Sequence, residues 1–249
     1  MDENLLQYAQ QEFNLPHDVV KLPSEGKFYK SKKKSVKVGY LTAADENIIM
    51  ASNPDDMIMT LVRSKLYEPD LKPDELLNGD IEAILIFLRN TSFGSEYSVS
   101  AVDPQTGEYF TAVVDLSELN IIKPKQEPNQ EGYFEVELPV SKHKVKLKLL
   151  TMGDKLEIER IISSYPSERN APVVTTRLIK NIVELNGSTD RVKISTFVEQ
   201  MPIKDSKFVR NFLIENEPRL DLSKEIIAPS GEKAVVNIAF GVEFFRPFF

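Results

Sequence analysis

With 31 Lys+Arg against 38 Asp+Glu, the 249-residue chain has a formal net charge of −7, which argues against a general nucleic-acid binder, a class that usually carries a basic surplus. The 41% hydrophobic content is enough for real cores and argues against wholesale disorder. There is no cysteine, so disulfides and thiolate metal sites are excluded. No apolar run approaches the roughly 18 residues needed to cross a bilayer, and acidic Met1-Asp2-Glu3-Asn4 is not a signal-peptide n-region. The expected compartment is the cytosol.

Residues 2–13 read as a short amphipathic helix, with Leu5, Ala9 and Phe13 four apart and Pro16 marking its end. An extended stretch through Leu22-Pro23 leads to a basic turn, Lys30-Ser31-Lys32-Lys33-Lys34. Val36, Val38 and Tyr40 then alternate with Lys37 and Gly39, the period of a half-buried strand. Thr42-Ala43-Ala44-Asp45 opens a helix, because an N-cap Thr and an acid three residues on satisfy two otherwise unpaired backbone donors. Pro54 suits the first position of another helix, running through Met57, Leu61, Val62 and Leu66. Ile81 to Leu88 is a buried helix ending at Arg89-Asn90. Tyr97 and Val99, a turn at 104–107 and the run Tyr109 to Val114 form a hairpin. Residues 123–132, polar with two prolines and a glycine, read as a linker. Beyond it come two strands, helices over 154–164, 173–185, 191–200 and 204–216, and a final hairpin.

The chain also says the same thing twice. Residues 36–45 (Val-Lys-Val-Gly-Tyr-Leu-Thr-Ala-Ala-Asp) match 145–154 (Val-Lys-Leu-Lys-Leu-Leu-Thr-Met-Gly-Asp) without a gap. Each copy follows a Leu-Pro pair, Leu22-Pro23 or Leu138-Pro139. Each ends in a Pro-to-Gly-Glu turn, at Pro104–Glu108 and Pro229–Glu232. Two copies of this length indicate paired modules rather than a solenoid. The expected organisation is α+β: an N-terminal helix over 1–16, a module over 17–122, a linker over 123–132 and a second module over 133–249. In each module, strands and hairpins flank a cluster of helices. Residues 186–204 have no clear counterpart in the first copy.

Motifs that would carry chemistry are scarce. Gly26-Lys27 lacks the earlier glycine of a phosphate loop, and neither Gly-x-Gly-x-x-Gly nor His-Glu-x-x-His occurs. His17 and His143 are the only histidines. Asp55-Asp56 sits where a first helical turn favours acids, and the carboxylates Asp45 and Asp154 read as helix starts. The lysines at 30–34 read as a solvated hairpin tip that guards an edge strand. No catalytic residue, metal ligand or cofactor site is expected. The C-terminus is less ordinary, with five phenylalanines in its last ten residues. Phe240, Val242 and Phe244 share one face of a strand that would close the core. Phe245, Phe248 and Phe249 are harder to bury, and an aromatic terminus suits docking to a protein partner. The candidate partner-binding residues are therefore Leu5, Phe13, Phe244, Phe245, Phe248 and Phe249.

Several stretches resemble the T4-like phage baseplate hub assembly family. They are Leu22-Pro23-Ser24-x-Gly26-x-x-Tyr29, Leu41-Thr42-x-x-Asp45-Glu46, Leu76-Leu77-x-Gly79-Asp80 leading to Leu88-Arg89, Ser92-Phe93-Gly94-x-x-Tyr97 and Phe244-Phe245-Arg246-Pro247. They span almost the whole chain in order. The resemblance implies a non-enzymatic, chaperone-like factor that binds other phage baseplate hub proteins during tail assembly, without nucleic acid or membrane. Its place would be the host cytoplasm, or the virion baseplate if it is instead a retained structural subunit. Family relatives often carry a zinc-binding Cys-Pro-x-Cys knuckle at the first hairpin turn. Here Asp103-Pro104-Gln105-Thr106-Gly107 stands there, which implies a hairpin without a metal.

Overall fold

The computed structural model describes residues 16–51, 54–166, 170–240 and 242–245, and the helix expected over 2–13 lies outside them. The fold is α+β, with small antiparallel sheets around helices. In the first half, β1 (His17–Lys21) pairs with β2 (Ser35–Gly39) from His17↔Gly39 to Lys21↔Ser35. Three helices follow, α1 (Ala43–Ala51), α2 (Pro54–Lys65) and α3 (Asn78–Phe93). A hairpin of β3 (Glu96–Val102) and β4 (Tyr109–Asp115) comes next, and then the short β5 (Ile121–Ile122). α3 runs past the expected Asn90 to Phe93, and stops where Gly94 takes φ 82° and returns its N–H to the Asn90 carbonyl.

The second half repeats the plan. β6 (Phe134–Glu137) and β7 (Lys144–Leu147) form the opening hairpin, followed by α4 (Met152–Ser163) and α5 (Val173–Asn181). β8 (Ile182–Leu185), α6 (Arg191–Glu199) and α7 (Ile203–Asn216) come next. The short β9 (Arg219–Leu220) precedes the hairpin of β10 (Ser223–Ile227) and β11 (Lys233–Asn237). The helix expected over 173–185 therefore ends four residues early. Ile182-Val183-Glu184-Leu185 has apolar residues suited to a pleated, half-buried edge, and it joins β7 as a third strand. The strand expected over Phe240–Phe244 is instead a single helical turn, Val242–Phe245. Both Phe244 and Phe245 can then point into the core, which an extended chain with alternating faces does not allow.

Several contacts recur at corresponding places in the two halves. Leu66, just past α2, bridges to Val38 of β2, and Ile182, just past α5, pairs with Leu147 of β7. In the first copy this pairing is a single bridge; in the second it lengthens into β8, and the residues without a counterpart form the turn after β8, α6 and the approach to α7. The long helices α3 and α7 each begin with a buried carboxylate that holds the Leu-Pro turn of its own module. Asp80 accepts the Ser24 N–H at 2.9 Å and the Tyr29 hydroxyl. Asp205 accepts the N–H groups of Val140 and Ser141 at 2.8 and 2.9 Å. Burial drives the Asp80 carboxyl up, against the hydrogen bonds it accepts, and drives the Tyr29 hydroxyl up with it. At Asp205 burial acts in the same sense, but the Val140 and Ser141 donors outweigh it and the carboxyl lies below its ordinary value.

The helix-start carboxylates are equivalent too, yet their cations come from different places. Thr151 caps α4 in a full capping box with Asp154, and Asp154 pairs with Lys148 at 2.7 Å. In the first copy Asp45 accepts the Thr42 N–H at 2.7 Å and is paired with Lys65 from the end of α2, both side chains buried. Where the second copy has Lys148, the first has Gly39, and a side chain there would run into the Tyr67 ring. Where the first has Lys65, the second has Asn181, which binds the Lys148 carbonyl at 3.0 Å. The ion pair is kept while its cation changes position.

The halves join through backbone as well as packing. β5 pairs with β9 across the copies, Ile121↔Leu220 and Ile122↔Arg219. Met152 N donates to Leu76 O at 2.9 Å. Gly79 opens α3 directly against Pro218 and Arg219, where any side chain would strike backbone. At the far end, Asp103 in the first hairpin turn accepts the Ser230 N–H (3.0 Å) and hydroxyl (2.7 Å) from the second hairpin turn, and the Gln105 N–H at 2.9 Å. Burial works against this carboxylate, but those donors hold it below its ordinary value. One continuous hydrophobic core results, running from Val20 to Phe245 and including Leu88, Phe134 and Val209.

Asp45→Asn strands the buried Lys65 ammonium and costs about 3–5 kcal/mol in chemical denaturation, whereas the Asp45→Leu/Lys65→Met double variant stays within about 1–2 kcal/mol of the parent. A larger loss in the double than in the single would refute the pairing. At the seam, Glu82 of α3 faces Glu217, Lys155 and Arg219, and burial together with the Glu217 charge pushes its carboxyl up to about 7. A carboxyl raised in the folded state binds a proton that the unfolded state has released, so stability falls as pH rises from about 4.5 to about 7. Glu82→Gln removes that fall: its advantage over the parent grows between pH 5 and pH 8, by on the order of 1–2 kcal/mol. An advantage independent of pH would refute it.

Candidate interaction surface

The aromatic C-terminus is built into the fold. Phe244 and Phe245 are 0% and 1% exposed. Phe244 stands edge-on to Phe240, Tyr97 and Phe245, with ring centroids 4.9, 5.4 and 5.0 Å apart. Beneath it lies Arg89 of α3, itself buried, its guanidinium within 5.5 to 6.0 Å of the Tyr97, Phe93 and Phe244 ring centres. Arg89 donates to the carbonyls of Gly94 (2.6 Å) and Glu96 (3.0 Å), which secures the turn between α3 and β3. Burial lowers its pKa, with Tyr97 acting in the opposite sense. A guanidinium enclosed by rings gains about 2 kcal/mol from their negative faces when desolvated. The helical turn thus closes the first module's helix cluster from the second module's end of the chain.

Phe244 and Phe245 accordingly offer a partner no surface in this conformation, and Phe245, read as hard to bury, is fully packed. Leu5, Phe13, Phe248 and Phe249 lie outside the described residues. In the lysine-rich turn, Lys32 and Lys33 are tied down, as is Lys27 just before it. Lys27 pairs with Glu25 and Glu127, at 2.9 and 3.0 Å, and Lys33 with Glu68 and Asp70. Lys32 Nζ donates to the carbonyls of Lys27 and Gln130. The Glu127 and Gln130 contacts pin the 123–132 segment to the turn between β1 and β2.

Exposed apolar side chains are gathered on the β3–β4 and β10–β11 hairpins, among other places. Tyr109, Val102 and Val235 are 81%, 45% and 66% exposed, and they line one cleft of ≈ 490 Å³ between β3 and β11. Val113 and Ile227 extend the same outward faces. The cleft spans both copies, because the Asp103–Ser230 contact draws the two hairpin turns together. Sequence reading missed these residues, although a signal was present. A strand with one wet face should alternate, yet Val113-Val114, Ile226-Ile227 and Val235-Val236 double their apolar residues. One of each pair must therefore face outward.

Among the described residues no group of three or more His, Asp or Glu side chains is placed to hold a metal ion, and no helix is long and apolar enough to cross a membrane. His143 bonds Asn186 and stacks edge-on against Phe197.

Phe244→Ala should lower thermal stability by about 3–5 kcal/mol, or roughly 10 °C in Tm for a chain of this size. Melting followed by circular dichroism checks it, and a shift under about 2 °C would contradict the packing described.

A family model described as T4 bacteriophage base plate protein matches residues 17–246 of this chain. No curated protein and no solved structure gives a significant match.

Proposed function

This chain belongs to the T4 bacteriophage base plate protein family, and from that membership we propose that it is a non-enzymatic, chaperone-like assembly factor. It binds subunits of the baseplate hub in the host cytoplasm while the tail is built. The observation that carries the binding role is the cleft between β3 and β11, where exposed Val102, Tyr109 and Val235 stand beside the polar Ser100, Lys233 and Asn237. Tyr109 supplies large amphipathic contact area at low conformational cost. The cleft is built by two rigid hairpins, so little ordering entropy is spent on binding.

A non-enzymatic role is supported by the work the prominent carboxylates already do. Asp45 and Asp154 start helices and pair with lysines, Asp80 and Asp205 hold backbone donors, and Asp103 joins two hairpins. None of these carboxylates is left over for proton transfer to a substrate. A chaperone-like role works through differential affinity: the factor must bind a free hub subunit better than an assembled one. Membership of a base plate protein family suits equally a subunit that stays in the particle, and that second reading uses the same cleft.

Quantitative mass spectrometry of hub-assembly intermediates and of infectious particles separates the two. The assembly factor is found in intermediates and is absent from particles; fixed stoichiometry in both makes it a structural subunit. The Tyr109→Asp/Val235→Asp double variant should keep its Tm within about 2–3 °C, since exposed sites away from special contacts shift stability little. It should lose binding to hub subunits by about tenfold or more. Undiminished binding by this variant would remove the cleft from the mechanism.

A further inference from the structure

The second module holds another surface that the cleft does not explain. In the first module α2 packs directly on α3. Their counterparts α5 and α7 do not close in the same way, because α6, from the segment without a counterpart, packs against α5 instead. Between α5 and α7 lies a groove of ≈ 440 Å³. Leu178 and Leu213 are buried at its lining, while Val173, Val174 and Ile214 are 37%, 45% and 59% exposed. The polar part of the lining is cationic. Lys155, Arg177 and Arg210 contribute three positive charges against the single Glu217. Lys155 faces Glu82 and the seam, whereas Arg177 and Arg210 form no ion pair with the described residues. Arg210 Nε makes one long hydrogen bond, 3.4 Å, to Ser206 O.

We propose that this groove takes an acidic amphipathic helix of a baseplate subunit, its apolar side chains seated against Val174, Leu178, Leu213 and Ile214 and its carboxylates paired with Arg177 and Arg210. The inference rests on the baseplate-assembly reading and adds the chemistry of the partner. A helix is the occupant because two splayed helices leave a slot that, one module earlier, is closed by direct helix–helix packing, and helix-in-groove docking restores that contact from outside. The partner is acidic because the groove is a cationic patch on a chain of net charge −7. Guanidinium groups suit the purpose, since each can engage a carboxylate through two parallel hydrogen bonds. Nucleic acid is disfavoured because the lining carries no aromatic side chain on which a base could stack.

The test places a photo-crosslinking amino acid at Val174 of the full chain in phage-infected cells and maps the adduct by mass spectrometry. The expected adduct is a baseplate-protein segment with apolar residues at helical spacing and Asp or Glu beside them. The Arg177→Glu/Arg210→Glu double variant, with unchanged circular dichroism and Tm, should lose that adduct and weaken binding of the same subunit about tenfold. Adducts confined to this chain itself, to nucleic acid or to a basic segment overturn the groove proposal. So does unaltered crosslinking by the double variant. If wild-type protein still co-purifies hub subunits in those cases, the assembly role stands and only the groove falls. If wild-type protein co-purifies no baseplate subunit at all, the functional reading falls with it.

Discussion

Two buried carboxylates at helix starts tie each Leu-Pro turn to the long helix beside it. Asp80 fixes the Leu22-Pro23 turn to α3, and Asp205 fixes the Leu138-Pro139 turn to α7. Each sits at the positive end of a long helix, where a negative charge is favoured, and each satisfies backbone donors that the turn would otherwise bury unpaired. With the hairpin anchored to the helix, the strand that follows can lie across the helix cluster and bury its apolar face. Their surroundings differ in one respect. Asp205 takes its donors from backbone and settles below its ordinary pKa, whereas Asp80 shares a closed pocket with Tyr29 and is driven up.

The recurring contacts let each half serve as a control for the other. Where both copies retain an interaction, geometry demands it; where only one does, the difference shows what the position can tolerate. The Asp45 and Asp154 ion pairs are the clearest case, since the cation moves from the end of α2 to the end of β7 while the carboxylate stays. The constraint is therefore on the charge of the helix start and not on any one lysine. The added strand β8 and helix α6 have the opposite character. They lengthen a single bridge into a three-stranded sheet and displace a helix contact, and so create a groove that the first copy lacks.

Packing and interaction compete for the same residue types in this fold. The C-terminal phenylalanines carry the strongest apolar signal in the sequence, and Phe244 and Phe245 are spent on enclosing Arg89 and sealing the core. Part of the open apolar surface instead comes from Val102, Tyr109 and Val235, each ordinary in its own strand. They become a surface because Asp103 brings two hairpins that are distant in sequence side by side.

Sequence alone determined the α+β class, the hairpins at 97–114 and in the C-terminal segment, the capped helix start at Thr151 and the helix-start carboxylate at Asp45. These are local properties: a side-chain period, a cap and a turn each need only a few neighbouring residues to declare themselves. Tertiary structure alone decided that Ile182–Leu185 leaves a helix for a sheet, because the deciding partner, β7, lies far away in sequence. It also decided that the last turn is helical, since only that geometry presents both Phe244 and Phe245 to the core at once. The candidate surfaces belong to the same group. A cleft between β3 and β11, or a groove between α5 and α7, is a relation between distant segments, and no periodicity along the chain encodes which faces remain uncovered when those segments meet.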